Sequence, residues 1–99
     1  MIEYKDIQDM FKTPLRVSSK KELILLKIQE YLGVDACDIN VSQVQYKEEN
    51  AIRTDIYMVK VEDLVIYLKH NKSRYQLELI ENYEVLNDIL DIIDSRKGA

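Results

Sequence analysis

Cysteine, histidine, proline, glycine and tryptophan are almost missing from this chain: Cys37, His70 and Pro14 are single, Gly33 and Gly98 are the two glycines, and there is no Trp in 99 residues. Metal centres, nucleophiles and phosphate cradles are mostly built from these residue types. A lone Cys closes no internal disulfide, which fits a reducing compartment. Two separated glycines make no phosphate-binding loop, and no Gly-x-Ser-x-Gly elbow occurs. The longest purely aliphatic run, residues 23–26, is far short of the roughly 20 residues that cross a bilayer. The opening Met1-Ile2-Glu3-Tyr4-Lys5-Asp6 is too charged for the apolar core of a signal peptide. These absences set the expectation of a cytoplasmic protein with no catalytic residues, no cofactor and no metal.

What is present points to a folded domain. Apolar residues at 46% and charged residues at 32% lie in the globular range, away from the low-hydrophobicity, high-charge signature of disorder. The expected organisation is a single domain over 1–99, with a helical arm at 1–17, a core at 18–95 and a tail at 96–99. Ten Lys against four Arg, and twelve Ile against three Ala, suggest an AT-rich coding sequence, pointing to a low-GC bacterium or its phage. Net charge is −4, but it is uneven. Six acids and no base fall between Tyr75 and Ser95, directly after a basic cluster at Lys69, His70, Lys72 and Arg74. That cluster reads as a solvated hairpin turn.

Periodicity then predicts the elements. Ile7, Met10 and Phe11 at helical spacing predict a first helix over about residues 3–12, stopped by Thr13-Pro14. Ser19-Lys20-Lys21-Glu22 matches a capping box, so a second helix is expected over about 20–32, with Gly33 ready for the left-handed position after its end. From Cys37 the period falls to two: Cys37, Ile39 and Val41 alternate with polar residues, and the phase then slips to Val44 and Tyr46 as a β-bulge would cause. Ile52, Thr54, Ile56 and Met58 are assigned to the core face of a second strand, Leu64, Ile66 and Leu68 to a third, and Tyr75, Leu77 and Leu79 to a fourth. For residues 61–68 a helix is the competing reading. Asn82 is placed to cap a last helix whose stripe is Val85, Leu86, Ile89, Leu90, Ile92 and Ile93, and whose other face carries Glu84, Asp88, Asp91 and Asp94. The expected fold is α+β: N-terminal helices, a four-stranded antiparallel meander and a C-terminal amphipathic helix packed on the sheet, in the order ααββββα.

Candidate chemistry is sparse. Cys37 and His70 could make a thiolate–imidazole pair, but Cys37 begins an apolar strand face and reads as structural. Asp88, Asp91 and Asp94 offer too few convergent oxygens for a hard cation. Asp35, Asp38 and Asn40 resemble the start of a calcium loop yet lack its glycine and closing Glu, so a loop entering a strand is expected. The order of helix, meander and helix is similar to that of double-stranded-RNA-binding domains, which bind through basic residues near the start of their last helix. Here that place reads Glu81-Asn82-Tyr83-Glu84, and an anionic helix repels a phosphate backbone.

The remaining candidates are surfaces. With Ile52, Ile56 and Met58 turned inward, Arg53, Asp55, Tyr57 and Val59 point out, joined by Val65, Tyr67 and Lys69 on the next strand and by Val44 and Tyr46 on the first. Tyr and Arg are enriched at binding hot spots; the competing reading is that tyrosine and valine are simply good strand residues, or that one of the N-terminal helices covers this face. The partner-binding residues expected are therefore Tyr46, Arg53, Tyr57, Tyr67 and Lys69 on the sheet face, and Glu84, Asp88 and Asp91 on the acidic helix. The function expected is that of a small acidic, non-catalytic protein that binds and inhibits or modulates another protein, encoded by a phage or mobile element. It is expected to bind neither nucleic acid nor membrane, and the sheet face could also serve a homodimer. Two other classes stand beside it: an assembly subunit of a larger particle, and an enzyme or nucleotide-binding regulator.

Overall fold

In the computed structural model, which describes residues 2–50, 52–82, 84, 86–88 and 91, and the backbone alone for 45–49 and 52, the chain begins with helix α1, Tyr4–Met10. Ile7 and Met10, three apart, are its buried residues, and the Glu3 N–H donates to Asp6 Oδ2 at 2.9 Å, satisfying one of the amides a helix start leaves unpaired. Helix α2, Lys21–Leu32, buries Ile24 and Ile28 and ends at Gly33, whose φ of 69° is the left-handed cap and whose N–H donates to Gln29 O at 2.8 Å. The expected capping box does not form. Lys20 occupies the cap position without a side-chain bond, because the Ser19 hydroxyl is turned inward to a buried carboxylate.

Among the described residues five strands, not four, make the sheet: β1 (Leu15–Arg16), β2 (Ile39–Glu49), β3 (Ile52–Val61), β4 (Leu64–Asn71) and β5 (Gln76–Leu79), in the spatial order β1-β5-β4-β3-β2 with every pair antiparallel. The meander of β2 to β5 was legible from the period of two. β1 was not, since two residues carry no period; it exists because Leu15 and Arg16 pair with Leu77 and Gln76. Residues 61–68 are strand and turn rather than helix. The predicted phase slip is present: Gln43 pairs with Tyr57 and Gln45 with Ile56, leaving Val44 as the bulged residue. Asn50, Glu62 and Tyr75 adopt positive φ at the three turns of the meander.

Cys37 does not open a strand. It lies exposed in a short 3₁₀ turn, Ala36–Asp38, and the strand starts only at Ile39. Tyr75 likewise sits in the turn before β5 and is exposed.

Both N-terminal helices cover one face of the sheet. Their Ile7, Met10, Ile24 and Ile28 pack with Val17 and with Ile39, Val41, Tyr57, Val59, Val61, Ile66, Leu68 and Leu77 from the strands. Burying such side chains is the dominant favourable term in folding, at roughly 1.5–3 kcal/mol each relative to exposure. On the opposite face Ile56 and Ile80 form a second, smaller cluster with Val44 and Tyr67 against it. Asn82 caps a final helical segment as expected: its Oδ1 accepts from the Glu84 N–H at 2.9 Å, its carbonyl accepts from the Leu86 N–H at 3.0 Å, and residues 84, 86–88 and 91 are helical. The rest of the predicted stripe (Val85, Ile89, Leu90, Ile92, Ile93), Asp94 and the 96–99 tail lie outside the described residues. Among the described residues no helix is long and apolar enough to cross a membrane.

Candidate functional site

The expected tyrosine face is not formed, and the reason is register. Val61 pairs with Leu64 across the Glu62-Asp63 turn, Val59 with Ile66, Tyr57 with Leu68 and Asp55 with His70. Directly paired residues share a face, so placing Leu64, Ile66 and Leu68 in the core puts Asp55, Tyr57, Val59 and Val61 there too. The assignment of Ile56 and Met58 to the main core is thereby reversed: Ile56 belongs to the second cluster, and the side chain of Ile52 lies outside those described. The signal lay in the sequence, because a two-residue turn fixes which parity of one strand faces which parity of the next. β3 is apolar on both faces, and alternation alone could not choose between them.

Each sheet-face candidate has a different fate. Tyr57 is 2% exposed, in the core beneath the helices. Tyr67 is half-buried on the opposite face against Ile56 and Ile80. Tyr46 pairs with Asp55 in the ladder, and its side chain lies outside those described. Arg53 holds Asp55, and Lys69 is exposed and paired with Glu78 at 3.3 Å. The acidic-helix candidates Glu84, Asp88 and Asp91 are exposed.

What the register brings together instead is a buried polar cluster between the sheet and the segment that joins β1 to α2. Asp55, 2% exposed, accepts from Ser19 Oγ at 2.7 Å on one oxygen, and from Gln43 Nε2 at 2.8 Å and Arg53 Nε at 3.0 Å on the other. The Tyr57 hydroxyl lies 2.8 Å from Ser19 Oγ and 3.3 Å from Ser19 O. A buried carboxylate is tolerable when it is paired and hydrogen-bonded in this way. Burial pushes the Tyr57 phenol above its ordinary value; the Ser19 hydrogen bond pulls it back, the Asp55 charge raises it further and Arg53 opposes that.

His70 is the second surprise. It was expected in a solvated basic turn, but it is fully buried, and its Nε2–H donates to the carbonyl of Val17, just after β1. A carbonyl only accepts, so the proton is on Nε2; Nδ1 has no partner among the described residues. Ser19, Asp55 and His70 are the three residue types of a hydrolase triad, yet their bonding is not that of one. The carboxylate bonds the serine directly and the imidazole bonds a main-chain carbonyl, so no imidazole bridges acid and alcohol. The cluster ties the β1–α2 segment to the sheet.

Asp35, Cys37 and Asp38 bring one potential ligand atom each within 4.8 Å of one another, all exposed. Asp38 O accepts from the Glu62 N–H at 2.8 Å, so the turn has a structural cause. Two carboxylates and a thiol on one open turn fall short of the roughly six to eight oxygens that calcium takes.

Two clefts flank β1. One, of about 540 Å³, is lined by Pro14, Arg16, Ser73, Arg74, Tyr75 and Gln76; the other, of about 310 Å³, by Arg16, Val17, Leu23, Leu26, Lys27 and Glu30. Sequence reasoning missed this region because it exists only where β1 meets β5. No family model matches the chain, and neither a curated protein nor a solved structure shows significant similarity to it.

Proposed function

We propose that this is a non-catalytic protein that binds another protein and inhibits or modulates it. The observation that carries the reading is the closed state of the Asp55 cluster. The place where serine, tyrosine and carboxylate meet bonds inward to Gln43, Arg53 and main chain, which leaves the chemistry of the molecule to its surface. Glu84, Asp88 and Asp91 support it as exposed carboxylates that make no ion pair among the described residues. Exposed charges of this kind steer encounter with a partner of opposite sign more than they hold the complex.

The test is affinity capture with cross-linking, followed by kinetics on the partner identified. Asp88→Lys with Asp91→Lys should slow association about tenfold and blunt its salt dependence, with little change in dissociation. Capture of no saturable partner, together with turnover of a small-molecule substrate by the purified chain, would replace the binding reading with an enzymatic one.

A further inference from the structure

The two clefts beside β1 share Arg16, and the main chain there is open. β1 is an edge strand. The Val17 N–H donates to Tyr75 O at 2.9 Å, while its carbonyl serves His70, so the amides of Val17 and Leu15, of one parity, turn to β5. The N–H and C=O of Arg16 between them therefore point away from the sheet.

Three features surround those open groups. Arg16 and Arg74 line the larger cleft and make no ion pair among the described residues. The turn that carries Arg74 is preformed: Asn71 Oδ1 accepts from Ser73 N at 3.1 Å, Ser73 Oγ at 2.8 Å and Arg74 N at 3.3 Å. Tyr75, at a φ of 55°, follows and is 53% exposed. In the smaller cleft Leu23 and Leu26 of α2 are 39% and 50% exposed, beside Lys27.

We propose that this edge takes an acidic, partly apolar peptide segment of a partner protein as an added strand; the inference rests on the protein-binding reading above. Arg16 would supply the ladder pair of main-chain bonds, the mode in which peptides extend exposed sheet edges. The guanidinium forks of Arg16 and Arg74 match carboxylates in shape and charge. Side chains alternate along a strand, so apolar residues of the segment would reach Leu23 and Leu26 while acidic ones meet the arginines. A second copy of the chain is a poor occupant. Of the two residues of β1, Arg16 is the one that offers outward main-chain groups, so pairing two copies of β1 about a two-fold axis would set Arg16 against Arg16, like charges directly opposite.

The probe is a fluorescein-labelled, acetylated hexapeptide of alternating Asp and Val, titrated into the full chain with amide shifts followed by NMR. Saturable binding is expected, with shifts centred on Arg16, Val17, Leu26 and Tyr75. Arg16→Glu with Arg74→Glu, both at exposed positions, should weaken it by about tenfold or more with the amide dispersion of the fold retained. N-methylation of alternate peptide amides should weaken it comparably, which a purely electrostatic contact would not show. The proposal is overturned by an absence of saturable binding at millimolar peptide, by equal binding of a Lys/Val hexapeptide, or by full binding of the N-methylated peptide. Displacement by inorganic phosphate at equal concentration would make the site a simple anion site and also overturn it, as would a dimer in sedimentation that Arg16→Glu dissociates. Loss of the peptide effect with the Asp88/Asp91 effect intact would remove this edge and leave the protein-binding reading standing.

Discussion

Asp55 is the residue on which most depends, because three donors from three segments converge on its buried carboxylate. Asp55→Ala removes the buried carboxylate that Arg53, Gln43 and Ser19 share as an acceptor and should cost about 1.5–3 kcal/mol, whereas Ser19→Ala should cost about 1–2 kcal/mol. Urea unfolding measures both, and an Asp55→Ala midpoint equal to wild type would show that the cluster carries no stability. Tyr57 adds a pH dependence of definite sign. Its phenol is raised by burial, so the folded chain holds that proton to higher pH than the unfolded chain, whose tyrosines titrate near ~10. The stabilisation is fully present below that value and is lost as pH rises through the folded value. Stability should thus fall more steeply above about pH 10 in wild type than in Tyr57→Phe; parallel curves would show that the ring is not held from solvent.

At the scale of the element, α2 shows a local rule losing to a tertiary one. Ser19 has the right identity and spacing to cap the helix, and Glu22 completes the motif, but the hydroxyl serves Asp55 and Tyr57 instead. The cap position falls to Lys20, extended at φ −117° and ψ 131° and without a side-chain bond. Lys20→Asp should therefore stabilise the protein by about 0.5–1 kcal/mol, by accepting from an unpaired first-turn N–H and placing an anion at the positive end of the helix. Thermal or urea unfolding checks it, and an unchanged midpoint would mean that the first turn is already satisfied. β1 is the complementary case. It has too few residues to signal itself, and it is held by β5 on one side and by His70 through the Val17 carbonyl.

Across the whole molecule, charge is separated: carboxylates gather on the final helical segment, while Arg16, Lys72 and Arg74 gather where β1 meets the β4–β5 turn. These three cations make no ion pair among the described residues, but the chain carries a net charge of −4, so affinity for duplex DNA or RNA at physiological salt should be no tighter than ~10⁻⁴ M. A fluorescence-anisotropy titration decides this. Micromolar binding with a steep salt slope, lost in Arg16→Glu with Arg74→Glu, would make the cationic cleft a nucleic-acid site.

By itself the sequence determined what depends on near neighbours. The two helices, the Gly33 cap, the Asn82 cap, the bulge at Val44 and four of the five strands follow from period, cap and turn chemistry, whose range is a few residues. The α+β class follows from their order. Tertiary structure decided what depends on pairing at a distance: which face of β3 the helices cover, and that Ser19, Asp55 and Tyr57 meet. It also placed His70 inside and brought Arg16 beside Arg74. The physical reason is that β3 is apolar on both faces and β1 has only two residues, so local pattern leaves both degenerate. Helix packing on one face and the β1–β5 ladder supply the free-energy difference that chooses among them.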